Sequence, residues 1–316
     1  MKQDLKIATL ILTLKTLGLR NNRTLNDFLV QHLTALQEAT DFSLDFVKSL
    51  NFPALSNLQR VTPAQWRQFY SHADLEMAMV QIEGVDALMP HMAQYPQRLL
   101  KDADHPVLLF SKGNTKLLNS KKIVGVIGTR KPTALGEKLG AHFTENFVKR
   151  GYAILGGLAI GSDTVGHKAA LAAHGKTIAV IPTAIGAPVY PKSNQFLADD
   201  IMKNDGVVVS EYSPLDDKNN KNLVAHLLAR DEWQAAMSDG LLAIETSTKG
   251  GTNYALKRAL KERKPIGLFD YSKSKYQQAY LADDRFSGNR MYIDQKLAYG
   301  IYDAASLDQF DQAMKH

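Results

Sequence analysis

Residues 123–136 read IVGVIGTRKPTALG, residues 152–163 read YAILGGLAIGSD, and residues 177–184 read TIAVIPTA. Each opens on a short, almost uninterrupted apolar run, and the first two close on glycine. Runs of four to eight apolar residues bounded by turn signals are strands buried on both faces. Six such runs follow one another: Ile123–Ile127, Tyr152–Leu155, Thr177–Ile181, Val207–Ser210, Leu241–Ile244 and Pro265–Phe269. Helical stretches starting near Leu135, Asp163, Asn194, Leu223 and Asn253 separate them. Strands covered on both faces and joined through helices form a doubly wound, mostly parallel sheet, so the fold class is α/β and Rossmann-like.

Outward from this core the pattern changes. Over the first ~90 residues, Leu5, Ala8, Leu12 and Leu19 fall near helical spacing, with Gly18 as a stop. Leu25, Phe28, Leu29, Leu33 and Leu36 repeat the spacing. Thr62-Pro63 caps and starts a third helix, and Ser71–Val80 reads as a fourth. Beyond 270 the chain is polar and tyrosine-rich, with one weak strand at Tyr299–Tyr302 and a final helix at Ala305–Lys315. The expected organisation is a helical domain over 1–90, a Rossmann-like core over 91–270 and an extension over 271–316.

Composition narrows the chemistry. With 45% hydrophobic and 22% charged residues, the 316-residue chain is neither disordered nor fibrous. It has no cysteine, which removes disulfides, thiolate metal sites, iron–sulfur clusters and thiol nucleophiles and fits a reducing cytoplasm. No run of 18 apolar residues predicts a membrane span. The apolar stretch Ile7–Leu14 follows Asp4 and is not trailed by a small-residue cleavage site, so it reads poorly as a signal peptide. The net charge of +6 is unevenly spread. Residues 1–100 carry nine basic and nine acidic side chains, whereas 111–150 carry nine basic against two acidic. A second basic stretch is Lys249, Lys257, Arg258, Lys261, Arg263 and Lys264 against Glu262. Such fields suit a polyanion; a solvated helix face would look the same in sequence.

Three loops carry the candidate site. The first strand runs into Gly128-Thr129-Arg130-Lys131, the second into Gly156-Gly157 and Gly161 before Asp163, and the fifth is followed by Lys249-Gly250-Gly251-Thr252-Asn253. Ligands of open α/β sheets sit at the carboxyl ends of strands, where glycine lets backbone N–H groups approach an anion and the next helix N-terminus favours it. Three loops beside Arg130, Lys131 and Lys249 point to a phosphate-bearing ligand. The spacing is neither that of a P-loop nor G-x-G-x-x-G, which disfavours nucleoside triphosphatases and nicotinamide enzymes.

The runs VGVIGTRKPTALG (124–136), GYAILGGLAIGSDTVGHKAALAAHGKTIAVIPTAIGAPVYPKSN (151–194) and GVVVSEY (206–212) resemble the DNA-processing protein A family, DprA or Smf. Its pattern is G-[ST]-R, S-G-[LM]-A-x-G-I-D-x-x-A-H, G-x-T-I-A-V, Y-P-x-x-N and S-E, in that order. Tyr95–Leu99 and Pro106–Asn114 resemble its entry segment. The resemblance implies a Rossmann-like core that binds single-stranded DNA, dimerises, escorts DNA in natural transformation and loads the recombinase RecA. It implies no catalytic residue and no cofactor. Thr129 and Arg130 fall on G-[ST]-R, Gly156, Gly157 and Gly161 on the glycine loop, and Asp163 and His167 on D-x-x-A-H.

The departures mark a divergent member. The family's leading Ser is Gly156, the Ile before its Asp is Ser162, and the Ala before its His is Gly166. Its R-N-R-I-I-A-G-L-S-D becomes Arg230-Asp-Glu-Trp-Gln-Ala-Ala-Met-Ser-Asp239; the first Arg survives, and Glu232 replaces the second with a charge that would repel phosphate. Its S-G-S-L-x-T-A becomes Gly250–Leu256, and 271–316 does not read as a winged helix. Single residues have simpler readings too. Arg130 can serve a salt bridge, His167 a packed core, Asp163 a helix cap, Glu211 a ribose or a loop, and Trp66 and Trp233 core or base stacking. His142 and Glu145 lack a third metal ligand. Two other functions share this fold. Lys249-Gly-Gly-Thr resembles the P-G-G-x-G-T-x-x-E of phosphoribohydrolases, but Asn253, Tyr254, Ala255 and Leu256 supply no glutamate. The other is a sensor of a nucleotide-derived signal.

Overall fold

A computed structural model of the chain describes residues 2–213, 222–273 and 277–315. The helices are α1 (Lys2–Thr16), α2 (Asn22–Glu38), α3 (Leu44–Ser49), α4 (Pro63–Ile82), α5 (Ala134–Lys149), α6 (Ser162–Ala172), α7 (Gln195–Lys203), α8 (Leu223–Met237), α9 (Asn253–Lys261), α10 (Gln277–Ala282), α11 (Ser287–Asp294) and α12 (Ala304–Ala313). The strands are β1 (Asp86–Leu88), β2 (Leu109–Gly113), β3 (Ile123–Ile127), β4 (Ala153–Gly156), β5 (Thr177–Val180), β6 (Val207–Ser210), β7 (Gly240–Ala243), β8 (Ile266–Phe269) and β9 (Tyr299–Ile301). One sheet holds them in the order β1-β2-β6-β5-β4-β3-β7-β8-β9.

From β6 to β9 every pairing is parallel. The parallel winding starts at β3, runs one way through β4, β5 and β6, then returns to β7 on the other side of β3. The crevice between the ends of β3 and β7 is therefore the topological switch point. The six expected strands match β3–β8 to within a residue, because strands buried along their whole length show their apolar run without interruption.

The sheet reaches past 91–270 at both ends. β1 and β2 add antiparallel to β6, and β9 adds parallel to β8. β1 is three residues long and half exposed, too short for a periodic signal. At the N-terminus the third and fourth expected helices are one helix, α4, since nothing between Tyr70 and Ser71 breaks it. Its start is as read: Thr62 and Gln65 exchange capping hydrogen bonds, with Pro63 first. The N-terminal helices lie on the sheet. Ile7, Leu10, Phe28, Val47, Trp66 and Met77 share one apolar core with Phe110, Ala179, Ile181 and Val208. Trp66 is core, its indole N–H donating to the Phe42 carbonyl. No described helix is long and apolar enough to cross a membrane.

Candidate nucleic-acid interface

At the switch point a cavity of about 290 Å³ opens between the loop after β3 and the loop after β7. Gly128, Thr129 and Arg130 form one wall and Thr246, Ser247, Gly250, Gly251 and Thr252 the other. Ala159, Asp163, Arg230, Asp231 and Gln234 form the floor, and Arg285 reaches in from the C-terminal segment.

The first wall is held from behind by Glu245, a wholly buried carboxylate just past β7. Its side chain accepts from the Thr133 N–H (2.8 Å), the Thr133 hydroxyl (2.6 Å) and the Tyr271 hydroxyl (3.0 Å). Its carbonyl accepts the Thr129 N–H at 2.7 Å. Burial and this carboxylate together push the Tyr271 phenol far above its usual range. Glu245 escaped the sequence reading because one acid after an apolar run has no motif around it.

The second glycine loop departs from the phosphate-cradle expectation. Asp163 sits inside the first turn of α6, whose cap is Gly161, and turns its carboxylate back onto the N–H groups of Gly157 (2.9 Å) and Ala159 (3.4 Å). Asn194, from the Y-P-x-x-N stretch, donates to the Leu158 carbonyl at 2.8 Å and fixes that residue at φ +61°. The loop thus spends two of its donors, the Gly157 and Ala159 N–H groups, within the chain. Its glycines serve close packing instead. At Gly161, φ is +81° and a Cβ would lie 2.6 Å from the Thr129 and Arg130 carbonyl oxygens; at Gly157 a Cβ would strike the Arg230 guanidinium.

His167 is also corrected: it is fully buried below the loop, its Nδ1 2.6 Å from the Thr177 hydroxyl, and it does not reach the cavity. Burial first, then Arg230, pushes its pKa down to about 4. The packed-core reading holds for it. Lys131, Gly156, Gly157, Gly161, Lys249 and Asn253 do not line the cavity either. Lys131 and Lys249 are exposed just outside it, and Asn253 is buried, tying its amide to the Ser247 and Gly250 carbonyls. The structure brings together Gly128, Thr129, Arg130, Asp163, Arg230, Gly250, Gly251 and Thr252.

Electrostatically, floor and rim differ. Arg230 is buried, with Nη1 3.4 Å from both Asp163 and Asp231. Burial pushes Asp163 upward despite Arg230 and the two N–H donors. Burial likewise pushes Asp231 up to about 6, with Arg230 opposing and Asp163 adding to the rise. The feared acid at Glu232 is not in the groove: it faces Arg258 at 3.4 Å, and Asp231 takes its place there. Two buried floor atoms, Arg230 Nε and Gln234 Oε1, have no hydrogen-bond partner among the described residues. At the rim, Arg130 is exposed and carries no ion pair among the described residues; its guanidinium lies 6.0 Å from the centre of the Tyr190 ring. The N–H groups of Arg130, Gly251 and Thr252 likewise have no partner among the described residues. Arg285 is held by Asp283 at 2.5 Å and stays half exposed. Trp233 is buried, donating to Glu211 at 3.1 Å, so neither tryptophan is open to a base. Glu211 also accepts from Asn22 and so ties α2 to α8. Among the described residues no three His, Asp or Glu side chains gather as metal ligands.

A family model described as DNA recombination-mediator protein A matches residues 86–310. The chain belongs to this family. The match spans β1 through α12 and so includes both antiparallel strands and the segment that carries Arg285. The chain is 31% identical over 208 residues to the DNA processing protein DprA of Bacillus subtilis, covering 64% of this chain and 68% of that one. It is 38% identical over 172 residues to its Streptococcus pneumoniae counterpart, covering 54% of this chain and 58% of the relative. The crystal structure of the S. pneumoniae protein superposes with a TM-score of 0.73 at 27% identity, over 95% of this chain and 96% of that one. A structure of the Helicobacter pylori protein, reported for that protein's single-stranded DNA binding mode, shares the fold with a TM-score of 0.60 at 23% identity, over 73% and 96% of the two chains.

Proposed function

We propose that the groove between β3 and β7 holds the phosphodiester backbone of single-stranded DNA without strong sequence readout. One observation carries this: at the switch point, unpartnered N–H groups of Arg130, Gly251 and Thr252 sit beside the unpaired Arg130 guanidinium. N–H groups and guanidinium together grip a phosphate and carry no base information. The phosphate stays at the rim, with Arg130, Arg285 and the nearby Lys131 and Lys249, because Asp163 and Asp231 would repel it from the floor. The floor, with Arg230 Nε and Gln234 Oε1 unpartnered, is left to a neutral polar group of the same strand.

The family adds the finer reading. The bound strand is protected and passed to a RecA-type recombinase during transformation or recombination, with the protein acting as a cytoplasmic homodimer. Catalysis is not part of the proposal. His167 is buried away from the groove, and no carboxylate follows Gly250-Gly251-Thr252 within the next four residues. A mononucleotide sensor is supported less, since two carboxylates share a cavity of about 290 Å³.

Fluorescence anisotropy with a labelled single strand and the matching duplex, at several salt concentrations, tests this. The single strand is expected to bind tighter, and log affinity to fall with log salt by about 0.7 per phosphate neutralised. Equal affinity for the two, or binding indifferent to salt, would sink the proposal.

A further inference from the structure

Four residues of the second basic stretch, Arg258, Lys261, Arg263 and Lys264, play no part in the groove at the strand C-termini. They lie at the opposite edge of the sheet, where the chain enters β7 and β8. There a groove of about 650 Å³ runs between the turn at 97–101, the end of α9 and the end of α12. Seven cations line it against three carboxylates.

Those cations divide into two kinds. Arg98, Arg258, Lys264 and Lys315 are structural: Arg98 pairs with Asp239 at 2.8 Å, Arg258 with Asp102 and Glu262, Lys264 with Glu262 at 2.8 Å, and Lys315 with Asp311, outside the groove, at 3.1 Å. They use up the three carboxylates. Lys101, Lys261 and Arg263 are exposed and have no ion pair among the described residues. Cations in the last turn of a helix offset its dipole, which accounts for Lys261. It does not account for Lys101, on a separate turn, or for Arg263, beyond the end of α9. Lys101 stands close enough to Lys264 to add to the burial that depresses that ammonium's pKa. Three unpaired cations lining one groove, one of them beside the paired Lys264, make a positive field that a polyanion would relieve.

Among the described residues no aromatic side chain lines this groove. It can therefore hold phosphates but cannot stack bases, and strand number makes no difference to it. We propose that this edge is a second nucleic-acid site, a phosphate-only groove that accepts duplex backbone while the switch-point groove holds a single strand. The protein would then seat a junction between duplex and single strand across the two ends of one sheet. Strands of four to five residues separate the grooves by roughly 15 Å, beyond the ~8 Å screening length at physiological salt, so the two act independently.

The test compares wild type with Lys261→Glu/Arg263→Glu on three labelled probes: a single strand, a blunt duplex, and a duplex with a single-stranded tail. Wild type is expected to bind the tailed duplex at least about tenfold tighter than the single strand. In the variant that gain disappears, the salt slope on the tailed duplex falls by about two units, and single-strand affinity stays within about twofold. The alanine pair, with a melting temperature matching wild type, controls for folding. No gain from the duplex in wild type overturns the proposal. So does a gain that survives in the variant, or a parallel loss on all three probes. The blunt-duplex comparison stands even if wild type ignores the single strand, so failure of the first groove and failure of this one are told apart.

Discussion

Asp231→Asn removes a groove acid that burial pushes up to about 6. Unfolded, this carboxyl titrates near 3.8; folded, burial raises it to about 6. Folding therefore favours its protonated form. Its cost is absent below pH 4, grows as the pH rises through 6, and is full at pH 7.5. A shift of about two units corresponds to about 3 kcal/mol. Asparagine keeps an oxygen for the Gln234 amide, which donates to Asp231 at 3.1 Å, and removes the charge. The variant should be more stable than wild type by about 1–3 kcal/mol at pH 7.5, and the gain should vanish by pH 4. His167 has the opposite sign. Its folded pKa is depressed to about 4, so its contribution is full above pH 6.5 and is lost as the pH falls toward 4. In wild type the two slopes oppose each other, and removing Asp231 should expose the His167 slope as a steeper loss of stability on acidification. Asp163, raised like Asp231, stays in both proteins. Urea unfolding at pH 4, 6 and 7.5 reads the difference. DNA binding should move with it: a unit charge about 8 Å from a phosphate at an effective dielectric near 20 costs roughly 2 kcal/mol before salt screening, so affinity at pH 7.5 should rise about fivefold. A stability difference that does not change with pH would refute the assignment of Asp231 as a buried, charge-penalised floor residue.

Two further variants separate grip from scaffold. Arg130→Ala should weaken single-strand binding by about one to two decades and leave the unfolding midpoint unchanged, as one charge-assisted contact is worth roughly 1.5–3 kcal/mol, while the exposed Lys149→Ala should change little in anisotropy. Glu245→Ala removes the acceptor of the Thr133 N–H and hydroxyl and of the Tyr271 hydroxyl, and should cost about 2–4 kcal/mol of stability by urea unfolding, with DNA affinity falling as the Thr129 loop loosens.

The fold was legible because its signal is local and repeated. β3 to β8 are apolar along their whole length, and the helix start at Thr62-Pro63 carries its own punctuation. What escaped notice lacks such a signal. β1 exists because β2 offers it an edge, and β2 because β6 does. α4 runs through Ser71 because a capping residue type ends nothing unless the helix stops for another reason. The weak strand expected at Tyr299–Tyr302 is β9, but no motif in that stretch tells that it adds parallel to β8.

The site was half legible, for a reason that lies in glycine itself. A glycine that lets a phosphate approach a backbone N–H and a glycine that lets one loop approach another make the same demand: no Cβ on one side. Gly250-Gly251 and Gly128 line the cavity; Gly157 and Gly161 meet Arg230 and the Thr129-Arg130 backbone. The two uses part only when each N–H is followed to its acceptor. At Gly157 and Ala159 the acceptor is Asp163, an acid of the same motif that brought the loop to attention. An anion-binding loop must leave its donors open, so an aspartate two to six residues downstream that can reach back argues for a closed loop. By that criterion the run Gly156–Asp163 is a base for the Thr129-Arg130 loop, which Ser162 holds by two bonds to the Thr129 carbonyl, and the proposed anion falls to the loops on either side of the switch point.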